Sequence, residues 1–252
     1  MRLTSSTTAD GICEQDFILD DVPGVLWSPA GATGPRPLIL LGHGGGQHKR
    51  GDGTVARARQ FVTGCGYAAA AIDMPGSGDR PRPEQEDQFW ESVRARRAAG
   101  HAVAEEVAGH FDELAARAVP EWRAVLDELT GLAAAGAGGP AGYSSIGYWS
   151  VSLGTMVGVP LAAAEPRISA AVFGLAGTGY RGSLAEAAGR IHIPVEFLLQ
   201  WDDELIPREQ ALALFGAFGS AEKTLHANPG GHMDVPMFEA ESSERFFARH
   251  LS

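Results

Sequence analysis

The sequence predicts an α/β fold, with a mostly parallel sheet of about eight strands covered by helices on both faces. Short, continuously apolar segments alternate with longer segments of helical character, which is typical of buried parallel strands joined by crossover helices. The chain has 252 residues, of which 44% are hydrophobic and 20% charged, enough for one sizeable core. We therefore expect a single domain over 1–252.

The predicted strands begin with two short alternating segments, EQDFIL and GVLWSP, which form an antiparallel pair around a turn at 21–24. Apolar segments then follow as strands of the parallel sheet: PLILLGH, YAAAAID, GYSSIGYWSVS, ISAAVFGLAG, PVEFLLQW and EKTLHANPG. Helices are predicted between them, and a last helix over VPMFEAESSERFFARHL closes the fold. A segment rich in Gly, Ala and Pro, 133–142, is predicted to be a surface loop.

One connection is longer than a crossover requires. The helical region from 86 to 132 runs for nearly 50 residues, whereas a crossover helix needs about a dozen. Its first part, 81–116, is predicted to be a helical lid over one end of the sheet. The adjacent aromatics Phe89 and Trp90 are candidates for lining a substrate pocket, with ordinary packing as the alternative. Three arginines could grip a substrate carboxylate, but a solvated helix face explains them more simply: Arg94, Arg96 and Arg97.

Composition argues against several classes of function. Thirty-one acidic residues against 20 basic ones give a net charge of −11, which disfavours nucleic acid and anionic membrane surfaces as partners. Cys13 and Cys65 are too few for a disulfide framework and are expected to be free thiols. The first residues lack the apolar core of a signal peptide, and no segment approaches the ~20 apolar residues of a membrane span. A cytoplasmic protein is expected.

A run of small residues, GYWSVSLGT at 147–155, ends a predicted strand and opens a predicted helix. The amides and the dipole at the start of a helix favour developing negative charge, so a serine at this corner is a candidate nucleophile. Such a turn is tight enough to require small residues two positions before and two positions after the nucleophile. Ser152 meets this condition with Ser150 and Gly154. Ser150 does not meet it, because Tyr148 would occupy one of the two positions.

The pattern Ser-x-Ser-x-Gly around Ser152 resembles the nucleophile elbow of the α/β-hydrolase superfamily, where Gly-x-Ser-x-Gly is usual. The resemblance implies an acid and then a histidine later in the chain, each after a strand of the sheet. Asp203, in DDELIP, lies four residues before Pro207, as the acid of this family commonly does, and Asp202 is its competitor. His232, in GGHMD, matches the catalytic histidine of the family.

The segment LGHGGGQHK resembles an oxyanion loop of the His-Gly-Gly-Gly type, which implies Gly45 and Leu153 as the two amide donors. A Gly-rich turn after a strand can instead bind a nucleotide. However, Gln47 stands where Gly-x-Gly-x-x-Gly requires its last glycine, and the Gly-Lys-Ser/Thr of a phosphate loop is lacking. The turn DMPGSGDRP (73–81) is similar to one found in dienelactone hydrolases and esterases.

The resemblance covers the chain from about residue 37 onward and implies a serine hydrolase that cleaves a carboxylic ester, thioester or lactone. The expected partner is a small-molecule acyl substrate, and no cofactor is implied. No metal site is predicted, because His43 and His48 are five residues apart without a nearby acidic ligand set. The same triad serves acyl transferases, cyclases, peptidases and C–C hydrolases, and the fold also supports non-catalytic binding proteins. The sequence leaves these alternatives and the oligomeric state open.

Overall fold

The computed structural model describes residues 1–101, 103–134, 142–180 and 182–251. The strands in these residues are β1 (Arg2–Ala9), β2 (Ile12–Leu19), β3 (Val22–Pro29), β4 (Arg36–Gly42), β5 (Ala68–Ile72), β6 (Tyr143–Ser150), β7 (Ile168–Gly174), β8 (Val195–Gln200) and β9 (Lys223–Asn228). The helices are α1 (Asp52–Cys65), α2 (Glu84–Ala98), α3 (Ala104–Ala134), α4 (Leu153–Ala164), α5 (Gly182–Gly189), α6 (Arg208–Ala217) and α7 (Phe238–His250), with a short 3-10 turn at Thr178–Tyr180.

All nine described strands lie in one sheet, in the order β1-β2-β3-β5-β4-β6-β7-β8-β9. The first three strands are antiparallel, β3 runs antiparallel to β5, and all pairs from β5 to β9 are parallel. This confirms the predicted mostly parallel sheet of an α/β fold. Because parallel strands end at the same edge of a sheet, the loops after β4 to β9 meet there, where open α/β sheets bind their ligands.

β1 is the strand that the apolar pattern does not predict. Every residue of β1 is exposed, and its polar sequence RLTSSTTA has no alternation of buried and exposed side chains. The strand is held by antiparallel pairing with β2, with a register shift between Leu3 and Ser5. Backbone pairing of this kind leaves no side-chain signal in the sequence, so the sheet has nine strands where about eight were expected.

Apolar side chains pack on both faces of the sheet. Along β4, Leu38 and Leu40 belong to the cluster covered by α3 to α6, whereas Ile39 and Leu41 belong to the cluster covered by α1 and α7. Successive side chains of a strand point to opposite faces, so a strand covered on both sides is apolar throughout. The same reason explains why β5 is buried at every position.

The predicted lid segment, 81–116, contains α2, but its predicted end lies inside a continuous helix. α3 has 31 residues and passes through residue 116 without interruption. Beyond that point, its buried residues recur at helical spacing and pack on the sheet: Ala118, Trp122, Val125 and Leu129. The second part of the predicted insertion and the crossover helix are therefore one element, whereas α2 is a helix of its own. The predicted loop 133–142 begins within α3, and most of it, 135–141, lies outside the described residues.

The length of α3 would suffice for a membrane span, since about 20 apolar residues cross a bilayer. Charged residues occur along most of its length, however, from Glu105 and Glu106 to Glu128. Among the helices that the structure describes, none is both long enough and apolar enough to cross a membrane.

Candidate active site

The corner between β6 and α4 carries Ser152. This residue has φ 56° and ψ −125°, a positive φ that a non-glycine residue rarely adopts. Its backbone N–H donates a hydrogen bond of 2.9 Å to the carbonyl of Gly174 at the end of β7. Strain of about 1–3 kcal/mol at such a residue persists only where the surroundings fix it. The corner thus presents the Ser152 side chain at the carboxyl edge of the sheet.

The small residues around Ser152 are required by close backbone contacts. A Cβ atom at Gly154 would lie 2.6 Å from the carbonyl oxygen of Gly42 and 2.9 Å from the Cβ atom of Ser150. Below Ser152, the Thr155 hydroxyl donates to the Gly174 carbonyl at 2.8 Å and accepts from the Gly174 N–H at 3.1 Å. These contacts are the physical basis of the Ser-x-Ser-x-Gly pattern.

A chain of hydrogen bonds joins Ser152, His232 and Asp203. The Ser152 Oγ atom lies 3.0 Å from His232 Nε2, and His232 Nδ1 lies 2.7 Å from Asp203 Oδ2. The other oxygen of Asp203 accepts hydrogen bonds of 2.8 Å from the backbone N–H groups of Leu205 and Ile206. A carboxylate with these donors holds the proton on Nδ1, which leaves Nε2 free to accept the Ser152 proton.

The neighbours of Asp203 contact the same histidine loop through its backbone. Asp202 Oδ2 lies 3.4 Å from the N–H of Gly230, and Glu204 Oε2 accepts a hydrogen bond of 3.0 Å from the N–H of His232. The three consecutive acidic residues therefore bind three different groups of one loop. The structure places Asp203, and not its competitor Asp202, against the imidazole ring.

The loop after β4 brings Gly45 beside the elbow. A Cβ atom at Gly45 would lie 4.0 Å from Leu153 Cβ, and both residues line the same cavity as Ser152. The loop is held by His43, whose Nδ1–H donates to the Gly44 carbonyl at 2.9 Å while Nε2 accepts from the Met74 N–H at 3.2 Å. Burial lowers the pKa of His43, which keeps the ring neutral as these bonds require.

The conformation of the DMPGSGD turn depends on Asp73, which the sequence analysis did not single out. The buried Asp73 carboxylate accepts hydrogen bonds from Lys49 Nζ at 2.6 Å, from Lys49 N at 2.9 Å and from Asp79 N at 2.9 Å. Gly78 has φ +58°, and a Cβ atom there would lie 2.3 Å from this carboxylate. Asp73 therefore fixes two loops that border the cavity. An Asp followed by a Gly-rich turn was the available signal.

A cavity of about 570 Å³ opens at Ser152. Its wall includes the elbow, the glycine loop and His232, which we call the base. Apolar residues of α2, of α3 and between them also line it, and we call this part the cover: Trp90, Val93, Val103, Val107, Phe111 and Leu114. Among the described residues, the cavity wall includes Trp90 but not Phe89. The Phe89 ring is stacked on His110 with ring centres 4.7 Å apart. His110 itself lines the cavity, and burial lowers its pKa.

The arginines of α2 have different surroundings. Arg97 lines the cavity. Arg96 forms an ion pair with Glu106, which ties α2 to α3. Arg94 is exposed.

The cavity also contains Arg80, whose guanidinium donates to both carboxylate oxygens of Glu121 at 2.7 and 2.8 Å.

Solved structures of other proteins resemble this chain over its full length. A cold-adapted esterase from an Arctic intertidal metagenomic library, bound to PEG, is 34% identical over 100% of both chains, with a TM-score of 0.80. A zinc-bound cold-adapted esterase from such a library is 32% identical over 100% of both chains, with a TM-score of 0.72. Est1E from Butyrivibrio proteoclasticus, bound to ferulic acid, is 16% identical over 98% of both chains with a TM-score of 0.65, a likeness of fold alone. No protein-family model and no curated protein matches the chain.

Proposed function

The chain belongs to the esterase-type α/β-hydrolases, and we propose that it hydrolyses carboxylic esters by a serine mechanism with a covalent acyl-enzyme intermediate. The observation that carries the proposal is the unbroken hydrogen-bond chain from Ser152 Oγ through His232 to Asp203. A serine with positive φ at the first turn of a helix, next to a correctly oriented histidine, is the arrangement that nucleophilic catalysis requires.

In the proposed reaction, Ser152 Oγ attacks the acyl carbon while His232 Nε2 accepts its proton. Asp203 stabilises the imidazolium, and the N–H groups of Gly45 and Leu153 bind the developing oxyanion. His232 then gives the proton to the leaving alcohol as the ester bond breaks. A water molecule, deprotonated by the same histidine, attacks the acyl-enzyme. The bond from the acyl carbon to Ser152 Oγ then breaks, Oγ regains the proton from His232, and the acid is released. No cofactor takes part in these steps.

The apolar part of the cavity wall supports an uncharged acyl group as the substrate portion that lies against α2 and α3. Apolar side chains from these helices line the cavity together with Ser152. Of the charged residues in the wall, Arg80 is paired with Glu121 and Arg82 with Asp87, and Glu86 and Arg97 line it as well. We propose that the segment 81–116 acts as the lid, with Trp90 in contact with the acyl group. Esters, thioesters and lactones all present such a group. The partner is therefore a small acyl compound, in line with the net charge of −11.

A fluorophosphonate probe tests the nucleophile. We expect one adduct by intact mass, located at Ser152, and loss of both labelling and ester turnover in Ser152→Ala. Ser150→Ala is the matched control, since Ser150 is fully buried two residues away and should leave labelling in place. A panel of p-nitrophenyl esters of increasing chain length reports the substrate range. Labelling at another residue, or full turnover in Ser152→Ala, would refute the mechanism.

A further inference from the structure

A second group of ligand-type side chains lies where β8, β9 and α7 meet. Glu196, His226 and Glu239 each offer one oxygen or nitrogen atom, and these atoms lie within 4.8 Å of one another. None of the three residues lines the cavity at Ser152. The two glutamate side chains are 4% and 3% exposed, whereas that of His226 is 30% exposed. The group is thus buried on one side and open to solvent through the histidine.

The hydrogen bonds of Glu239 determine which nitrogen of His226 carries a proton. Glu239 Oε1 accepts from the Asn228 amide at 2.9 Å, and Glu239 Oε2 lies 2.8 Å from His226 Nδ1. With Glu239 as a carboxylate, both of its oxygens accept and His226 Nδ1 is the donor. In the neutral ring, Nε2 therefore carries a lone pair.

That lone pair faces a second buried carboxylate. His226 Nε2 lies 3.7 Å from Glu196 Oε2, too far for a hydrogen bond. With the His226 ring neutral and Glu196 ionised, these two atoms repel unless a proton or a metal cation lies between them. The guanidinium of Arg57, on α1, is stacked on the Trp149 ring, 4.2 Å from its centre, and lies near enough to Glu196 and Glu239 for their charges to act on it. The gap between Nε2 and Oε2 is where a further cation would be stabilised.

We infer that this gap is a zinc site, with His226 Nε2 and the Glu196 carboxylate as ligands and water at the solvent-facing positions. Imidazole nitrogen and carboxylate oxygen are ligands that zinc prefers, at bond lengths of about 2.0–2.2 Å. Two such bonds in tetrahedral geometry place the ligand atoms roughly 3.4 Å apart, close to the observed 3.7 Å. Glu239 is the positioning carboxylate on the other ring nitrogen, an arrangement that orients zinc-bound histidines.

The site connects the two ends of the loop that carries His232. His226 is in β9 before this loop and Glu239 is in α7 after it, while Glu196 belongs to β8, the strand that leads to Asp203. Binding only to the folded chain stabilises that chain. Zinc should therefore raise the melting temperature and tie the loop to the sheet.

Isothermal titration calorimetry with ZnCl₂ tests the inference on the full chain. We expect one zinc per chain, with affinity lowered at least tenfold in His226→Asn and in Glu196→Gln. Asn retains an amide donor near the position of Nδ1 and removes only the Nε2 ligand, so the bond to Glu239 can persist. His192→Asn is the matched control, because His192 bonds the Gly219 carbonyl elsewhere and should leave the affinity unchanged.

Anomalous diffraction from wild-type crystals soaked in ZnCl₂ gives a second measurement that needs no variant. A peak between His226 Nε2 and Glu196 supports the site, and a rise in melting temperature with zinc that is absent in His226→Asn supports it independently. Three results would overturn it: no binding at millimolar zinc, binding unchanged in His226→Asn, or binding lost only in His232→Asn. A fourth result would also overturn it. If the NMR signals of His226 shift on protonation but do not shift on addition of zinc, the gap is occupied by a proton.

Discussion

The base and the cover of the cavity are held together by different kinds of contact. At the base, backbone groups fix all three residues of the triad. The N–H of Ser152 donates to the Gly174 carbonyl, the N–H of His232 donates to the Glu204 carboxylate, and the Asp203 carboxylate accepts from backbone N–H groups. The cover packs around a small cluster centred on three valines, with partly buried aromatics against it: Val93, Val103, Val107, Phe89, Trp90 and Phe111. Phe111 and Leu114 of the cover also pack against the main core. The ion pair from α2 to α3 joins side chains that are 42% and 45% exposed, so it contributes little.

This difference separates the reaction from the choice of substrate. Proton transfer between Ser152 and His232 requires distances fixed to a fraction of an ångström, and buried hydrogen bonds supply that precision. A helical cover packed through a few apolar side chains can change its contacts without disturbing those distances. Variants of the base should therefore affect all esters alike, whereas variants of the cover should affect esters according to their size.

The largest expected effect comes from the carboxylate behind His232. Asp203→Asn should lower kcat by about 10⁴-fold, because an amide in place of the acceptor favours the wrong tautomer of the ring. Asp202→Asn is the matched control, since Asp202 approaches only the backbone of Gly230 and should keep most activity. Steady-state kinetics on p-nitrophenyl acetate and on a bulkier ester measure both. Equal losses in the two variants would mean that activity does not depend on the hydrogen bond between His232 and Asp203 in particular.

The cover should respond differently. Trp90→Ala should lower kcat/KM for a bulky ester at least about tenfold and change acetate hydrolysis little, because losing a buried aromatic contact costs roughly 1–3 kcal/mol. Phe89→Ala is the comparison variant: its ring packs on His110 and is separated from the cavity, so a smaller loss is expected. Kinetics on both esters with both variants provide the measurement. A Trp90→Ala loss that is equal for acetate and for the bulky ester would assign this residue to holding the cover together.

The features that could be predicted from sequence are those imposed by short-range geometry or implied by the resemblance to a known family. The tight corner requires small residues at 150 and 154, and this requirement is visible without a structure. The order of Ser152, Asp203 and His232 was implied by the resemblance to the α/β-hydrolase superfamily. The structure brings these three side chains within hydrogen-bond distance, and their catalytic role stays a prediction.

The features that sequence reasoning missed depend on contacts between distant segments. His43 holds the glycine loop through Met74, 31 residues away, and Asp73 binds Lys49, 24 residues away. Two adjacent aromatics on a helix point about 100° apart, and both contact His110, so only the packing of α2 on α3 decides that Trp90 is the one that lines the cavity. β1 was missed for a related reason, since its order comes entirely from a partner strand.

A smaller effect on the base is expected from Glu204. This side chain accepts the His232 N–H at 3.0 Å, so Glu204→Ala should lower kcat a few fold through a less well-positioned ring, with KM nearly unchanged. Glu204→Gln retains an acceptor oxygen and should recover most of the loss. Kinetics on a small ester compare the two variants. A KM effect without a kcat effect, or no recovery with Gln, would show that the backbone bond does not position the histidine.

The smallest expected effect concerns stability, at the far end of α4 from Ser152. Hydrogen bonds from Arg167 at 2.6 and 2.7 Å lower the pKa of Glu165 to about 2. A folded pKa below the unfolded value of 4.5 means that the carboxylate stabilises the fold fully above pH 4.5 and loses this contribution as pH falls toward 2. Glu165→Gln should therefore lower the melting temperature by about 2–4 °C at pH 7, with a difference that shrinks between pH 4.5 and pH 3. Thermal melts across this pH range measure the difference. Trp90→Ala is the comparison variant, and its melting temperature should fall less than that of Glu165→Gln, because the contacts of Trp90 lie in the cover. A pH-independent difference for Glu165→Gln would assign its effect to packing, and a larger fall in Trp90→Ala would show that base and cover unfold as one unit.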